Sequence, residues 1–240
     1  MKKKRYKCLA VIPARGNSKR IKNKNIINFY GKPIISYSLN FIKKSKIFDK
    51  IHVSTDSIKI KKIAEKNGVK IDFLRPKELS DDKTGVLKVL KYVVDKYKSM
   101  NIHFDAVAII YPCSPLIRHT DLIKAYKIFK KKNLKFPILS VSEFINPPEK
   151  SLNIKNKFIK VNDVKEFKNR SQDLQKKFYD TGNFSFFPCD KIDRVIKDFK
   201  KNRPFHNFLP YEIERMRSVD INTYEDLNYA KMLFSILKKK

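Results

Sequence analysis

The segment LAVIPARGNSKRIKNKN, residues 9–25, crowds Arg15, Lys19, Arg20, Lys22 and Lys24 behind four apolar residues. The apolar run reads as a buried strand and the basic stretch as the loop it feeds. A loop of this kind suits a polyanion. The backbone amides of Ala14 to Asn17 can form an anion nest, and Arg15 and Lys24 supply full positive charge. The segment carries neither GxxxxGK[ST] nor GxGxxG, so neither of those phosphate-binding patterns applies. From the residues alone two readings stand, a phosphate site and a solvated basic loop.

Glycine points to further positions, because the chain has only five in 240 residues. Gly68 fits a left-handed helix cap. Gly16, Gly31, Gly85 and Gly182 fall beside polar clusters in predicted loops, which implies a positive φ or the close approach of a ligand. Arg15 and Gly16, then Asp56, then the segment Tyr111 to Arg118, each follow a predicted strand. Ligands of open α/β sheets bind beyond the carboxyl ends of the strands, so these groups are expected to meet at one edge.

Strands are predicted at 8–12, 50–55, 105–111, 136–141 and 183–187. Helices are predicted from Pro33 to Lys44, over 57–68, over 84–99, after Thr120 to about Asn133, near 188–200 and from Thr223. The apolar segment VKIDFL follows the second helix. Alternation at this spacing implies an α/β fold, a mostly parallel sheet with helices on both faces. SLNIKNKFIKVND, residues 151–163, alternates about a polar turn at Lys155 to Lys157 and reads as a hairpin leaving that sheet. Thr223 with Asp226 three residues on has the form of a capping box. The whole of 1–240 fits one domain, with the hairpin excursion at about 145–170.

Lys and Arg number 55 against 24 Asp and Glu, a net charge of +31, which raises the question of nucleic acid. The lysines lie along the whole chain, on outer helix faces such as KIKKIAEKNG, whereas a dedicated binder clusters its charge. A nucleic-acid partner is therefore not expected, although a basic nucleic-acid-binding protein on an inactive fold is the rival from another class. No apolar run approaches the roughly 18 residues of a membrane span, and the basic start lacks the apolar core of a signal peptide. A soluble, cytoplasmic protein with no membrane contact is expected. Cys8, Cys113 and Cys189, like the four histidines, are too scattered for a disulfide framework or a zinc site.

IPARGNSKRIKNKN resembles the signature loop of the nine-carbon sugar cytidylyltransferases, the CMP-sialic acid synthetase family. YGKPIISYSL, VSTDS, FLRPKELSDDKTG, SPLIR and VDINTYEDL follow in that family's order, so the resemblance covers essentially the whole chain. RSQDLQKKFYDTGNF, residues 170–184, is similar to the pseudaminic acid branch, with Asn183 where that branch has glutamine. Tyr111 stands where the sialic acid enzymes have glutamine.

The resemblance implies a Rossmann-like nucleotidyltransferase fold and transfer of CMP from CTP to an acidic nine-carbon sugar. It favours pseudaminic acid, with N-acetylneuraminic or legionaminic acid as alternatives. It implies a nucleotide site of Ala14, Arg15, Gly16, Lys24, Asn25, Arg75 and Gly85, in which Arg15 and Lys24 are catalytic, offsetting triphosphate charge. For the sugar it implies Tyr111, Lys150, Arg170, Gln172 and Asp173, with Arg170 suited to a bidentate grip on a carboxylate. The family holds Mg2+ with an Asp-x-Asp pair after the last strand. Here the pair is Asp220 and Asn222, one carboxylate and one neutral amide oxygen. The hairpin resembles the family's dimerisation excursion, which implies a homodimer.

Overall fold

The computed structural model describes residues 5–238; Met1 to Lys4 of the basic start, and Lys239 and Lys240, lie outside the described residues. In chain order the strands are β1 (Cys8–Pro13), β2 (Asn28–Phe29), β3 (Lys32–Pro33), β4 (Lys50–Ser54), β5 (Ala106–Ile110), β6 (Ile138–Glu143), β7 (Leu152–Lys155), β8 (Phe158–Val161), β9 (Phe178–Pro188) and β10 (Leu209–Glu212). The helices are α1 (Ile34–Ser45), α2 (Ile58–Lys66), α3 (Val86–Ser99), α4 (His119–Lys131), α5 (Val164–Phe167), α6 (Ile192–Lys200) and α7 (Tyr224–Lys238).

Among the described residues six strands form one sheet in the order β10-β6-β9-β5-β1-β4. The pairs β1–β4, β1–β5 and β10–β6 are parallel, while β9 runs antiparallel between β5 and β6. Side chains alternate across each strand, so β1 serves two cores. Cys8, Ala10 and Ile12 pack under α1, α2 and α4, and Leu9 and Val11 pack under α3 and α6. This is the α/β sheet with both faces covered that the alternating pattern predicts. Burying each large apolar side chain contributes about 1.5–3 kcal/mol, more than a surface ion pair, so apolar packing sets where the strand ends point.

Two local expectations change. The helix predicted after Thr120 begins at His119, because the Asp121 carboxylate accepts from the Arg118 N–H (2.8 Å) and caps it two residues earlier. VKIDFL, to which the sequence reading gives no element, passes as coil and bends between α2 and Arg75. β10 is absent from the sequence reading; LPYE carries a proline and lies at the sheet edge, where a missing N–H costs little. The capping box does form, with Thr223 Oγ1 accepting from the Asp226 N–H (3.2 Å) and Asp226 accepting from the N–H groups of Asn222 and Thr223.

Strand β9 is longer than NFSFF and is bulged. Leu139 pairs with Ser185, yet Val141 pairs with Asp180, so residues 181–184 of β9 lie opposite Ser140 alone. Buried hydroxyls replace the lost ladder bonds: Thr181 Oγ1 donates to the Ser140 carbonyl (3.1 Å), and the Phe184 N–H donates to Ser140 Oγ (3.1 Å). Gly182, at φ +60°, supplies the left-handed residue that the bulge needs.

Candidate active site

β1, β4 and β5 end at the same edge, and a cleft of about 290 Å3 opens beyond them. Arg15, Lys19, Arg20, Lys24 and Asn25 line it from the loop after β1, Arg75 from the segment after α2, and Tyr111, Pro112 and Cys113 from the loop after β5. Gly182 of β9 and Asp220, just before α7, complete the far side.

The basic loop is anchored rather than merely solvated. Ile21 is fully buried, packed with Phe29, Cys113 and Ile221 in a third apolar cluster. Asn25 is buried too; its Nδ2 donates to the Arg15 carbonyl (2.9 Å) and closes the loop on itself. That bond commits the amide expected to fix the nucleotide. The anion nest expected at Ala14 to Asn17 is likewise partly filled. The Ala14 N–H donates to the Ser54 carbonyl (2.9 Å), and the Gly16 N–H to Asp56 Oδ1 (2.7 Å). A Cβ on Gly16 would meet Ser57 Cβ at 3.0 Å, so glycine there serves close packing of two loops. Gly85 has an ordinary φ of −65° and simply caps α3; it does not line the cleft.

The cations that remain available hold protein acceptors. Arg15 Nη1 bonds the Asp81 carbonyl (2.8 Å) and pairs with Asp82 (2.6 Å), and Lys19 pairs with Asp82 as well. Lys24 Nζ donates to the Ile221 carbonyl and, at 3.3 Å, to Asn222 Oδ1, which also accepts from Arg20 (2.7 Å). These bonds are half-exposed and exchangeable, so an incoming polyanion can take the same donors. Arg75 is buried, with Nε on Ser54 Oγ (3.1 Å) and Nη2 on the Ser54 carbonyl (2.6 Å). Burial pushes its guanidinium down to about 10, Arg15 adds to this and Asp56 opposes it, which leaves it charged at neutral pH.

Opposite the cations lie acidic groups. Asn222 Nδ2 donates to Asp220 Oδ2 (2.6 Å). Its oxygen faces Arg20 and Lys24. Burial, with added repulsion from Asp220, raises the Asp180 carboxyl above its ordinary value, against the Gly182 N–H bond that favours its charged form. Burial raises the Tyr111 hydroxyl to about 12, and both carboxylates contribute. Asp180 and Gly182 were in view in the sequence as part of YDTGNF, and the rarity of glycine was the signal for them. The bulge that brings Gly182 to the cleft and sets Asp180 beside it was not.

Lys150, Arg170, Gln172 and Asp173 do not line the cleft. They lie on an excursion between Glu143 and Phe178, which are paired where β6 and β9 meet at the cleft edge of the sheet. Lys150 Nζ donates to the carbonyls of Phe167 and Asn169 (2.5 Å each), and it braces α5 rather than reaching out. Asn183 is buried, with Nδ2 on Ser114 Oγ (3.2 Å) and no partner for its Oδ1.

A family profile described as cytidylyltransferase matches residues 9–239. The chain is 36% identical over 235 residues to the pseudaminic acid cytidylyltransferase of Campylobacter jejuni, covering 96% of this chain and 97% of that protein. It is 33% identical over 146 residues to the N-acylneuraminate cytidylyltransferase of Escherichia coli O18:K1:H7, which covers 60% of this chain and 33% of that protein. The solved CMP:2-keto-3-deoxy-manno-octonic acid synthetase complexed with CTP superposes with a TM-score of 0.72 at 14% identity, over 95% of this chain and 98% of that one. At that identity the likeness concerns the fold.

Proposed function

The chain belongs to the cytidylyltransferase family, and from that premise we propose that it transfers CMP from CTP to the anomeric hydroxyl of a nine-carbon α-keto acid sugar, releasing pyrophosphate. The observation that carries this reading is the convergence of Arg15, Lys24 and Arg75 on one cleft at the carboxyl edge of the sheet, facing the carboxylate of Asp220. Pseudaminic acid is the favoured sugar, because the relative matched over nearly its full length carries that name. N-acetylneuraminic and legionaminic acid are the alternatives.

The triphosphate exchanges with Asp82 for Arg15 and Lys19 and draws Lys24 from the Ile221 carbonyl. Arg75, fixed on β4, faces the cytosine. Those side chains offset phosphate charge while the sugar hydroxyl attacks the α-phosphorus in line and pyrophosphate departs. The work is positioning and neutralisation; none of the cleft's residues stands as a dedicated general base. Mg2+ fits this site through the Asp220 carboxylate, and when bound it would neutralise further phosphate charge. Tyr111 at the cleft, with Arg170, Gln172 and Asp173 on the excursion, would receive the sugar. Lys150 serves them by bracing the segment that carries Arg170.

The hairpin β7–β8 exposes the cross-strand pair Ile154 and Ile159 on one face and Phe158 on the other, at 70–80%, apolar groups suited to a second copy of the chain. We therefore read the enzyme as a homodimer of single-domain chains, each spanning 1–240. No helix of the described residues is long and apolar enough to cross a membrane, and we place the enzyme in the cytoplasm, where CTP is available.

Pyrophosphate release tests the reading directly. The protein is expected to release it from CTP, and not from ATP, GTP or UTP, with at least one of the three acidic sugars. Silence with all three would overturn it.

A further inference from the structure

We propose that the divalent cation is held by Asp220 together with Asp180, and that Asn222 is a positioning residue bonded to Arg20 and Lys24 instead of a metal ligand. The proposal rests on the cytidylyltransferase reading and names the ligand set of its cleft.

Asn222 has one acceptor atom, and Arg20 (2.7 Å) and Lys24 (3.3 Å) both donate to it. A divalent cation bound there would sit against two positive side chains, a repulsion the neutral amide does nothing to offset. The other end of the amide, Nδ2, donates to Asp220 Oδ2 and so presents hydrogens on that side.

Asp180 offers what Asn222 lacks. The bulge in β9 brings Gly182 against both carboxylates: its N–H donates to Asp180 Oδ1 (2.9 Å), and a Cβ on it would lie 3.3 Å from Asp220 Cγ. A side chain at Gly182 would be strained at φ +60° and would crowd the Asp220 carboxylate. Their segments are also tied together. Tyr179 Oη, next to Asp180, bonds Ser218 Oγ (2.7 Å), and the neighbouring Arg217 is locked by a buried pair with Asp121 (2.5 Å).

The surrounding charge makes the pair conspicuous. In a chain with 55 basic residues and 24 acidic ones, neither Asp180 nor Asp220 forms an ion pair with a lysine or arginine among the described residues. Two neighbouring carboxylates without a cationic side-chain partner are free to take up a divalent cation. Mg2+ characteristically takes one or two carboxylates, phosphate oxygens of the substrate and water; Asp220 lines the cleft, and Asp180 stands beside it across Gly182.

The test is Mn2+ titrated into the full-length protein, with and without CTP, followed by the EPR signal of the free ion. Asp180→Asn keeps the size of the side chain and an oxygen for the Gly182 N–H. With CTP present, Asp180→Asn and Asp220→Asn are each expected to weaken Mn2+ binding at least about tenfold, since ligand charge sets affinity for hard cations. Asn222→Asp is expected to stay within about twofold of the parent, because the new carboxylate would pair with Arg20 and Lys24. Near-parental binding in Asp180→Asn, or clear tightening in Asn222→Asp, would overturn the assignment, as would the absence of saturable binding in the parent. Asn222→Asp keeps the proposal exposed even if Asp180→Asn folds poorly. A protein that binds Mn2+ as stated and yet releases no pyrophosphate would leave the site standing and remove the function.

Discussion

The wall of the cleft and the excursion that leaves its rim both carry motif residues, yet one chain positions them very differently. On the wall, Ala14 and Ile21 are fully buried and Arg75 is 7% exposed, so the loop cations issue from a backbone that the core holds. On the excursion, Ile154 and Phe158 are about 80% exposed and Arg170 lies outside the cleft. The difference separates two things a motif can carry. Residue type tells what chemistry is available; apolar anchoring tells whether a single chain can aim it.

The sharpest way to break the comparison is Arg15→Ala. Its side chain is partly exposed and, among the described residues, bonds Asp81 and Asp82 in the cleft loops. Turnover, measured by pyrophosphate release, is expected to fall at least about a hundredfold with the melting temperature unchanged. Near-normal turnover would take the triphosphate away from this wall.

A second experiment probes the wall's rigidity through β4, which carries Ser54 and leads into Asp56. His52 on that strand is fully buried, with Nδ1 3.1 Å from Tyr97 Oη and no partner for Nε2; burial pushes it down to about 4. Tyr97 donates to Asp72 (2.8 Å), so the His52 Nδ1–H donates to Tyr97 and Nε2 carries the bare lone pair. The folded value lies below the unfolded one, so the unfolded chain takes up the proton first. The stability from neutral His52 is full above about pH 6.5 and falls as pH drops toward 4, by about 2–3 kcal/mol. Denaturant unfolding at pH 7 and pH 4.5 should show this slope in the parent and a flatter one in His52→Phe. Parallel slopes would discard it.

On the excursion the expected effects are smaller. Arg170→Lys should raise the KM for the sugar about tenfold and move that for CTP less than about twofold, since a point charge replaces a planar fork. Equal shifts in both would place Arg170 elsewhere. Replacing Ile154 and Phe158 together by Glu should halve the mass seen in sedimentation while leaving the melting curve in place, because neither side chain packs in the core. A persistent dimer would mean that the hairpin is not the interface. Smallest of all, Asp82→Asn should lower the KM for CTP about two- to threefold, as Arg15 and Lys19 lose an exposed competitor. A higher KM would show that Asp82 orients those cations for substrate.

Much of the fold was legible because periodicity reports burial directly. CLAVI alternates between two cores and formed the strand, and Pro33 opened α1 where its fixed φ belongs. β10 escaped because LPYE is only four residues long and carries a proline, and it depends on Ile138 to Val141 of β6 for its partners. For the site, the basic loop, Arg75, Tyr111 and Asp220 were named from motif and do line one cleft. The side-chain bonds that commit Asn25, Asn222 and Lys150 were hidden, because each joins residues far apart in the chain or turns on which way an amide faces.

By itself the sequence determined the family, the alternation of strand and helix, and the inventory of charges at the carboxyl edge, because those depend on residue type and local spacing. Tertiary structure alone decided how those charges are paired. Asp180 and Asp220 are forty residues apart, and nothing in their spacing says that both lie against Gly182 at a bulge. Asn222 and Lys24 lie at opposite ends of the chain, yet the packing of Ile21 against Ile221 sets their loops side by side. Electrostatic partnership follows distance in space, and the core sets that distance.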